Sequence, residues 1–303
     1  MNSPYHTPVM LKESIDFLSI NPEGNYADVT FGGGGHSREI LNKISGGKLL
    51  AFDQDNDALE NKWKDNNLIL VKSNFKYLKQ FLSYYDMLPL DGLLADLGVS
   101  SYQIDDGGRG FSFRNDGALD MRMNQNANLS AWQVVNNYSV DDLAKVFKRY
   151  GEINNAYALA RRIILERNIA PINTTGELKN LAENYAIQKN RVNKYLSQVF
   201  QAIRIEVNQE ITSLESLLTQ LPGVMKEGGR MVVISYHSLE DRLVKNFVQT
   251  GNLDGVQVKD DFGVQRRPFV PNPKKIVLAS ESEIRKNPRS RSAKLRVAIK
   301  NKI

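Results

Sequence analysis

The sequence contains no cysteine. That absence removes disulfides, thiolate nucleophiles and cysteine-based zinc sites together. Histidine is scarce as well: His6, His36 and His237 are spaced too widely for one helix to gather them on a metal, so no metal is expected. No apolar run approaches the roughly 18 residues that span a bilayer. The best stretches, Leu88–Leu97 and Met231–Tyr236, have the length of strands. The start, Met1-Asn-Ser-Pro-Tyr-His-Thr-Pro, lacks the basic residues and apolar centre of a signal peptide. These absences point to a cytoplasmic protein with no membrane partner.

What remains is a core-forming composition, 303 residues of which 41% are hydrophobic, with 40 Lys+Arg against 34 Asp+Glu and a net charge of +6. It excludes a disordered or fibrous chain and fits one large domain or two. The charge is unevenly spread. From Lys259 onward there are thirteen Lys/Arg and four Asp/Glu, a net of +9, so the first 258 residues carry −3. Within this end, Arg266-Arg-Pro-Phe-Val-Pro sets an aromatic beside paired arginines, and Asn287-Pro-Arg-Ser-Arg-Ser-Ala-Lys interleaves cations with hydroxyls. Such a segment suits a polyanion, RNA above all, because cations on phosphates release counterions. A solvated basic face is the alternative.

Four short apolar segments follow one another near the start: Asn25–Phe31, Lys48–Asp53, Asn67–Phe75 and Leu90–Gly98. With helical stretches between them they predict a parallel sheet covered on both faces. From about Ile104 helices follow one another, at Ser130–Asn137, Ser139–Tyr150, Asn155–Arg167, Thr174–Gln188 and Asn190–Glu215. Ser139 with Asp142, and Thr174 with Glu177, read as capping-box starts. Arg230–Tyr236 is a fifth buried strand, Ser238 opens another helix, and Ala293–Ile299 alternates like a strand. The expectation is an α/β, Rossmann-like sheet in two parts, 1–103 and 213–303, interrupted by an all-helical insertion at 104–212 for RNA or substrate.

The first strand runs into Gly32-Gly-Gly-Gly35-His-Ser, and Asp53 lies 19 residues beyond Gly34 at the end of the second strand. A glycine bend lets backbone approach a ligand closely, the following helix start favours an anionic group, and an acid at that offset suits ribose hydroxyls. Ser37 stands where a dinucleotide fingerprint would have its last glycine. S-adenosyl-L-methionine carries no phosphate and needs less of that fingerprint. Acids at the ends of strands two and four, Asp53 and Asp96, suit its hydroxyls and amine, so methyl transfer is favoured over a nicotinamide-dependent oxidoreductase.

Longer motifs then carry a resemblance. His6-Thr-Pro-Val-Met-Leu-Lys-Glu, Asp28-Val-Thr-Phe-Gly-Gly-Gly-Gly-His-Ser, Asp96-Leu-Gly-Val-Ser-Ser-Tyr-Gln and Arg109-Gly-Phe-Ser-Phe-Arg-Asn-Asp-Gly-Ala-Leu-Asp-Met-Arg-Met follow in order, then Tyr150-Gly-Glu, Gln201-Ala-Ile-Arg-Ile-Glu-Val-Asn, Ile234-Ser-Tyr-His-Ser-Leu-Glu-Asp-Arg and Asn287-Pro-Arg-Ser-Arg-Ser-Ala. Over nearly its whole length the chain resembles the RsmH (MraW) family of small-subunit ribosomal RNA methyltransferases acting on cytosine N4. The resemblance implies a class I methyltransferase sheet with a helical insert, S-adenosyl-L-methionine as cofactor, and a decoding-centre cytosine of 16S rRNA, within the small ribosomal subunit, as substrate. Carried over residue by residue, the cofactor contacts fall on Gly34, Gly35, His36, Asp53, Phe75, Asp96 and Gln103.

Three of these have a plainer reading beside them. His36 donates to the cofactor or caps its helix; Phe75 ends strand three and flanks adenine or packs in the core; Gln103 reads the adenine edge or caps a turn. For catalysis, Asp96, or a carbonyl within residues 96–101, is the candidate acceptor for the cytosine N–H groups. The chain has no Pro-Pro, so the motif that supplies this acceptor in DNA amino-methyltransferases is missing. A target base must be unstacked and held against an aromatic wall. Phe111, Phe113, Tyr236 and His237 are the candidates, with Arg109, Arg114, Arg289 and Arg291 for phosphates. A non-catalytic RNA-binding assembly factor remains the rival of another class, and the oligomeric state, a homodimer included, is left open.

Overall fold

The computed structural model describes residues 8–259, 261–263 and 267–302. His6 and Arg266, singled out above, lie outside the described residues. In chain order the elements are α1 (Leu11–Leu18), β1 (Tyr26–Asp28), α2 (Gly35–Leu41), β2 (Leu49–Asp53), α3 (Asn56–Leu59), β3 (Leu68–Lys72), α4 (Leu78–Tyr84) and β4 (Leu90–Asp96). There follow α5 (Ser101–Asp105), α6 (Ala131–Asn137), α7 (Val140–Gly151), α8 (Ala156–Arg167), α9 (Thr175–Glu183) and α10 (Val192–Asn208). The chain closes with α11 (Glu210–Val224), β5 (Met225–Ser235), α12 (Ser238–Thr250), β6 (Phe269–Pro271), β7 (Val277–Leu278), α13 (Glu281–Lys286) and β8 (Lys294–Lys300).

These elements form two compact units, one made of the residues up to Gly98 together with those from Ile211 onward, the other of Val99–Glu210. The junctions expected after residues 103 and 212 fall after 98 and 210.

The first unit is built on one sheet of order β3-β2-β1-β4-β5-β8-β6, with β7 also on β8. The five strands from β3 to β5 are parallel, and β8 runs antiparallel to its neighbours. Side chains alternate faces as a strand period of two requires. Leu50, Phe52, Met231 and Val233 enter one buried cluster with residues of α4, α11 and α12. Leu49, Ala51, Val232 and Ile234 enter the other, with residues of α1 and α2. Burial on both faces explains why these segments read as unbroken apolar runs. The strand order reverses between β1 and β4, and in open α/β sheets a ligand crevice forms at the carboxyl ends beside such a point.

The second unit is helical, with α7 lying against α8 and α10. Ser139 Oγ accepts from Asp142 N at 3.1 Å, and Thr174 and Glu177 close a reciprocal capping box. Two helices are shorter than the sequence suggests. The helix expected to run to Gln188 stops at Glu183, and the one expected over 190–215 breaks at Gln209, whose φ of 52° is left-handed and separates α10 from α11. Among the described residues no helix is long and apolar enough to cross a membrane.

Candidate functional site

The glycine bend is required by close packing as much as by backbone conformation. Gly34 has φ 74° and caps α2 through its backbone alone, and a Cβ there would lie 2.6 Å from the ring of Trp63 and 3.0 Å from Phe31. A Cβ at Gly35 would lie 2.1 Å from Pro8. Phe31 and Trp63 stack at 5.7 Å, and Arg38 sits 4.2 Å over the Trp63 ring. Aromatic side chains thus fill the space a larger residue would need.

Asp53 ends β2 and faces this bend. Its Oδ2 accepts from Gly32 N at 2.8 Å and its Oδ1 from Asp55 N at 2.9 Å. Burial pushes its carboxyl up to about 6, against the pull of those amides. A third backbone hydrogen bond, from Gln54, also reaches this carboxylate, an acceptor group of the kind that suits ligand hydroxyls.

His36 is 5% exposed, and its Nε2 is buried without a hydrogen-bond partner among the described residues. Desolvation lowers the ring to about 4, so it is neutral, the Val9 backbone offsetting part of the shift. It is the second residue of α2 and makes no cap, which removes the capping reading. Its Nδ1 lies 3.9 Å from Asp96 Oδ2, beyond hydrogen-bond reach. A buried unpaired ring nitrogen costs free energy until a polar ligand atom meets it.

Asp96 ends β4. Tyr236 donates its hydroxyl to Oδ1 at 2.7 Å, and Asp96 N donates to Thr30 Oγ1 at 2.7 Å. Burial raises the carboxyl to about 7; Tyr236 opposes the shift, while Asp28, Glu240 and Glu283 add to it. Asp28, Glu240 and Glu283 had no place among the sequence candidates. Asp28, fully buried at the end of β1, accepts from Ser37 Oγ at 2.6 Å and Thr30 N at 3.1 Å and so holds both flanks of the bend. Glu240 accepts from the backbone of Tyr236 and His237 at 3.0 and 3.4 Å. The signal for Asp28 was available: an acid at a strand end four residues before the first glycine of the bend. For Glu240 there was only its place four residues after Tyr236.

The other candidates divide. Phe75 does not end β3; that strand stops at Lys72, and Phe75 opens a single turn over 75–77, half-buried against the core. Gln103 belongs to the second unit, where its side chain accepts from Ser100 N at 3.0 Å and completes a capping box. Arg109 is corrected as a phosphate candidate. It is 6% exposed, and its Nη2 donates to the carbonyls of Arg122 and Met123 at 2.9 and 3.3 Å. Phe111, 9% exposed, packs under it, and Phe113 meets Phe200 edge-on at 5.5 Å within the same unit. Phe111 is buried and Phe113 half-buried in these contacts. Arg114 and Arg291 are exposed and Arg289 half-buried. His237 is the N-cap of α12, with its Nδ1 3.5 Å from Glu240 N. The basic end is partly committed too: Arg296 and Lys294 bind Asp241 at 2.6 and 3.1 Å.

The model of the MraW methylase family matches residues 3–301. The chain belongs to the MraW methylase family. Among its relatives is the ribosomal RNA small subunit methyltransferase H of Bacteroides thetaiotaomicron, 52% identical over 297 residues, which are 98% of this chain and 97% of that protein. The protein of the same description from Amoebophilus asiaticus is 51% identical over 298 residues, covering 98% and 96%. Among solved structures, an rRNA methylase from Streptococcus thermophilus aligns over 96% of this chain and 95% of its own, with 11% identity and a TM-score of 0.44. In this member of the MraW family, the bend, His36, Asp53 and Asp96 all lie in the first unit, at the carboxyl ends of β1, β2 and β4.

Proposed function

We propose that this chain transfers the methyl group of S-adenosyl-L-methionine to the N4 amine of a cytosine in 16S rRNA of the small ribosomal subunit, in the cytoplasm. Membership of the methylase family supports the reaction, and the description its relatives carry supports the substrate. One observation carries the cofactor reading. The neutral, unpartnered ring nitrogen of a buried histidine lies in the same unit as two strand-end carboxylates beside a glycine bend. That donor set suits an amino-acid end and a ribose and offers no cation for a pyrophosphate.

When bound, S-adenosyl-L-methionine supplies an electrophilic methyl carbon. Gly34 and Gly35 let the backbone come close, Asp53 accepts the two ribose hydroxyls, His36 orients the amino-acid end, and Phe75 contributes apolar wall. Gln103 caps its own helix through its side-chain oxygen. The transfer is an in-line displacement: the C–S bond breaks as the C–N bond forms, and one N4 proton leaves. Alignment of this kind contributes about 7–11 kcal/mol in well-oriented reactions. Asp96 accepts from the cytosine N–H, which favours a pyramidal nitrogen with its lone pair available. The methylated nitrogen is acidic, so a carboxylate suffices to receive its proton. Arg114, Arg289 and Arg291 bind phosphates, and Tyr236 and His237 border the base.

Tritiated-methyl transfer to small-subunit particles, followed by nucleoside mass spectrometry, tests this. N4-methylcytidine from the wild-type chain and none from Asp96→Ala is the expected result. Cofactor bound without transfer, or a methyl on another atom, overturns it.

A further inference from the structure

Asp96 is held at two points. Its backbone N–H is fixed on Thr30, its Oδ1 accepts from Tyr236, and Oδ2 has no hydrogen bond among the described residues, His36 Nδ1 standing off at 3.9 Å. Tyr236 is itself fixed. Its N–H donates to Glu240 at 3.0 Å, Glu240 is 3% exposed, and a Cβ on Gly98 would rest 3.4 Å from the ring. The phenol therefore directs its hydroxyl to Asp96 as a donor, a contact separate from any its ring makes with a base.

We propose that Tyr236 is a positioning residue: by holding Oδ1 it fixes the carboxylate of Asp96 and leaves Oδ2 as the single oxygen presented to the cytosine amine. This rests on the methyl-transfer reading above and adds a role that differs from bordering the base. Partial rotation of the carboxylate about its Cβ–Cγ bond would swing its acceptor lone pairs off the amine, and a fixed donor on one oxygen prevents it. The hydroxyl also favours the ionised form that can accept, because it donates to the charged state. The groups that bear on Asp96 are Tyr236 from the end of β5, Asp28 from β1, His36 from α2, Glu240 from α12 and Glu283 from α13. His36 is neutral and the three acids all disfavour ionisation, so Tyr236 stands alone among them in favouring it. Burial and the nearby acids keep its phenol protonated well above the ordinary range, so it donates throughout the working pH.

Tyr236→Phe removes one hydroxyl and keeps the ring. In methyl transfer to small-subunit particles, kcat is expected to fall about tenfold, the loss of one hydrogen bond to a charged group, with KM for the particle held within about twofold. The acid limb of the pH profile is expected to move upward by about 0.5–1, because losing the donor raises the carboxyl further. Asp96→Asn removes the limb, and adding Tyr236→Phe to it brings no further loss, since coupled residues do not add. An unmoved limb with an equal loss at every pH, or losses that multiply in the double variant, overturns the assignment. A wild-type chain that transfers no methyl defeats the methyl-transfer reading itself. An active wild type with an unaltered Tyr236→Phe variant defeats the role of Tyr236 alone.

Discussion

The backbone N–H of Gly32 donates to Oδ2 of Asp53 over 2.8 Å, tying the glycine bend after β1 to the tip of β2. The same carboxylate that would receive ribose hydroxyls thus also shapes the loop beside them. Loop geometry and ligand contact are coupled through one side chain.

That coupling gives a pH dependence. The Asp53 carboxyl is raised to about 6 by burial. A raised acid makes the fold bind its proton more tightly than the unfolded chain, so its contribution to stability falls as pH rises from about 4 to about 6. Ligand binding runs the other way, because the ionised form accepts hydroxyls. Calorimetric titration should show S-adenosyl-L-methionine binding tighten as pH rises through 6. Asp53→Asn should lose this dependence.

Gly34→Ala meets two obstacles. A left-handed backbone costs a residue with a Cβ about 1–2 kcal/mol, and the new methyl stands 2.6 Å from Trp63. A drop in Tm of about 2–4 °C and an altered Trp63 emission are expected, with cofactor affinity reduced more than about tenfold. Unchanged emission would contradict the packing described here.

Asp241 joins α12 to β8 through Arg296 and Lys294. Burial pushes its carboxyl up, and the two cations more than offset this, leaving it below the usual range. A depressed acid contributes stability above its unfolded value and loses it as pH falls through the folded one. Asp241→Ala should lower stability in urea by about 1–3 kcal/mol at pH 7. Wild type and variant should converge below the ordinary carboxylate range.

Arginines of different burial should separate cleanly. Arg114→Ala and Arg291→Ala, both exposed, should leave Tm unchanged. Each should reduce the salt slope of rRNA binding by about 0.7–0.9, the value of one phosphate contact. Arg109→Ala should lower Tm instead, because it leaves the carbonyls of residues 122 and 123 without their donor. Thermal melts and binding isotherms at several salt concentrations check both.

Much of this architecture was legible. The strands announced themselves because burial on both faces demands unbroken apolar runs, and the bend and its acid because tight approach demands glycine. What was not legible depended on partners distant in sequence. Arg109 looks like any basic residue until the 122–123 backbone folds over it. Tyr236 reads as an aromatic wall until its hydroxyl meets Asp96, 140 residues away. Phe75 was misplaced because Asn74 caps a turn where apolar pattern alone continues a strand. The break at Gln209 follows from a left-handed residue, which composition does not mark.

The most direct test is a crystal of the chain grown with S-adenosyl-L-methionine. Density along Gly34, with the ribose on Asp53 and a polar atom of the ligand on His36 Nε2, is the predicted result. Clear density lodged elsewhere in the chain, with the bend and both carboxylates untouched, would contradict the account.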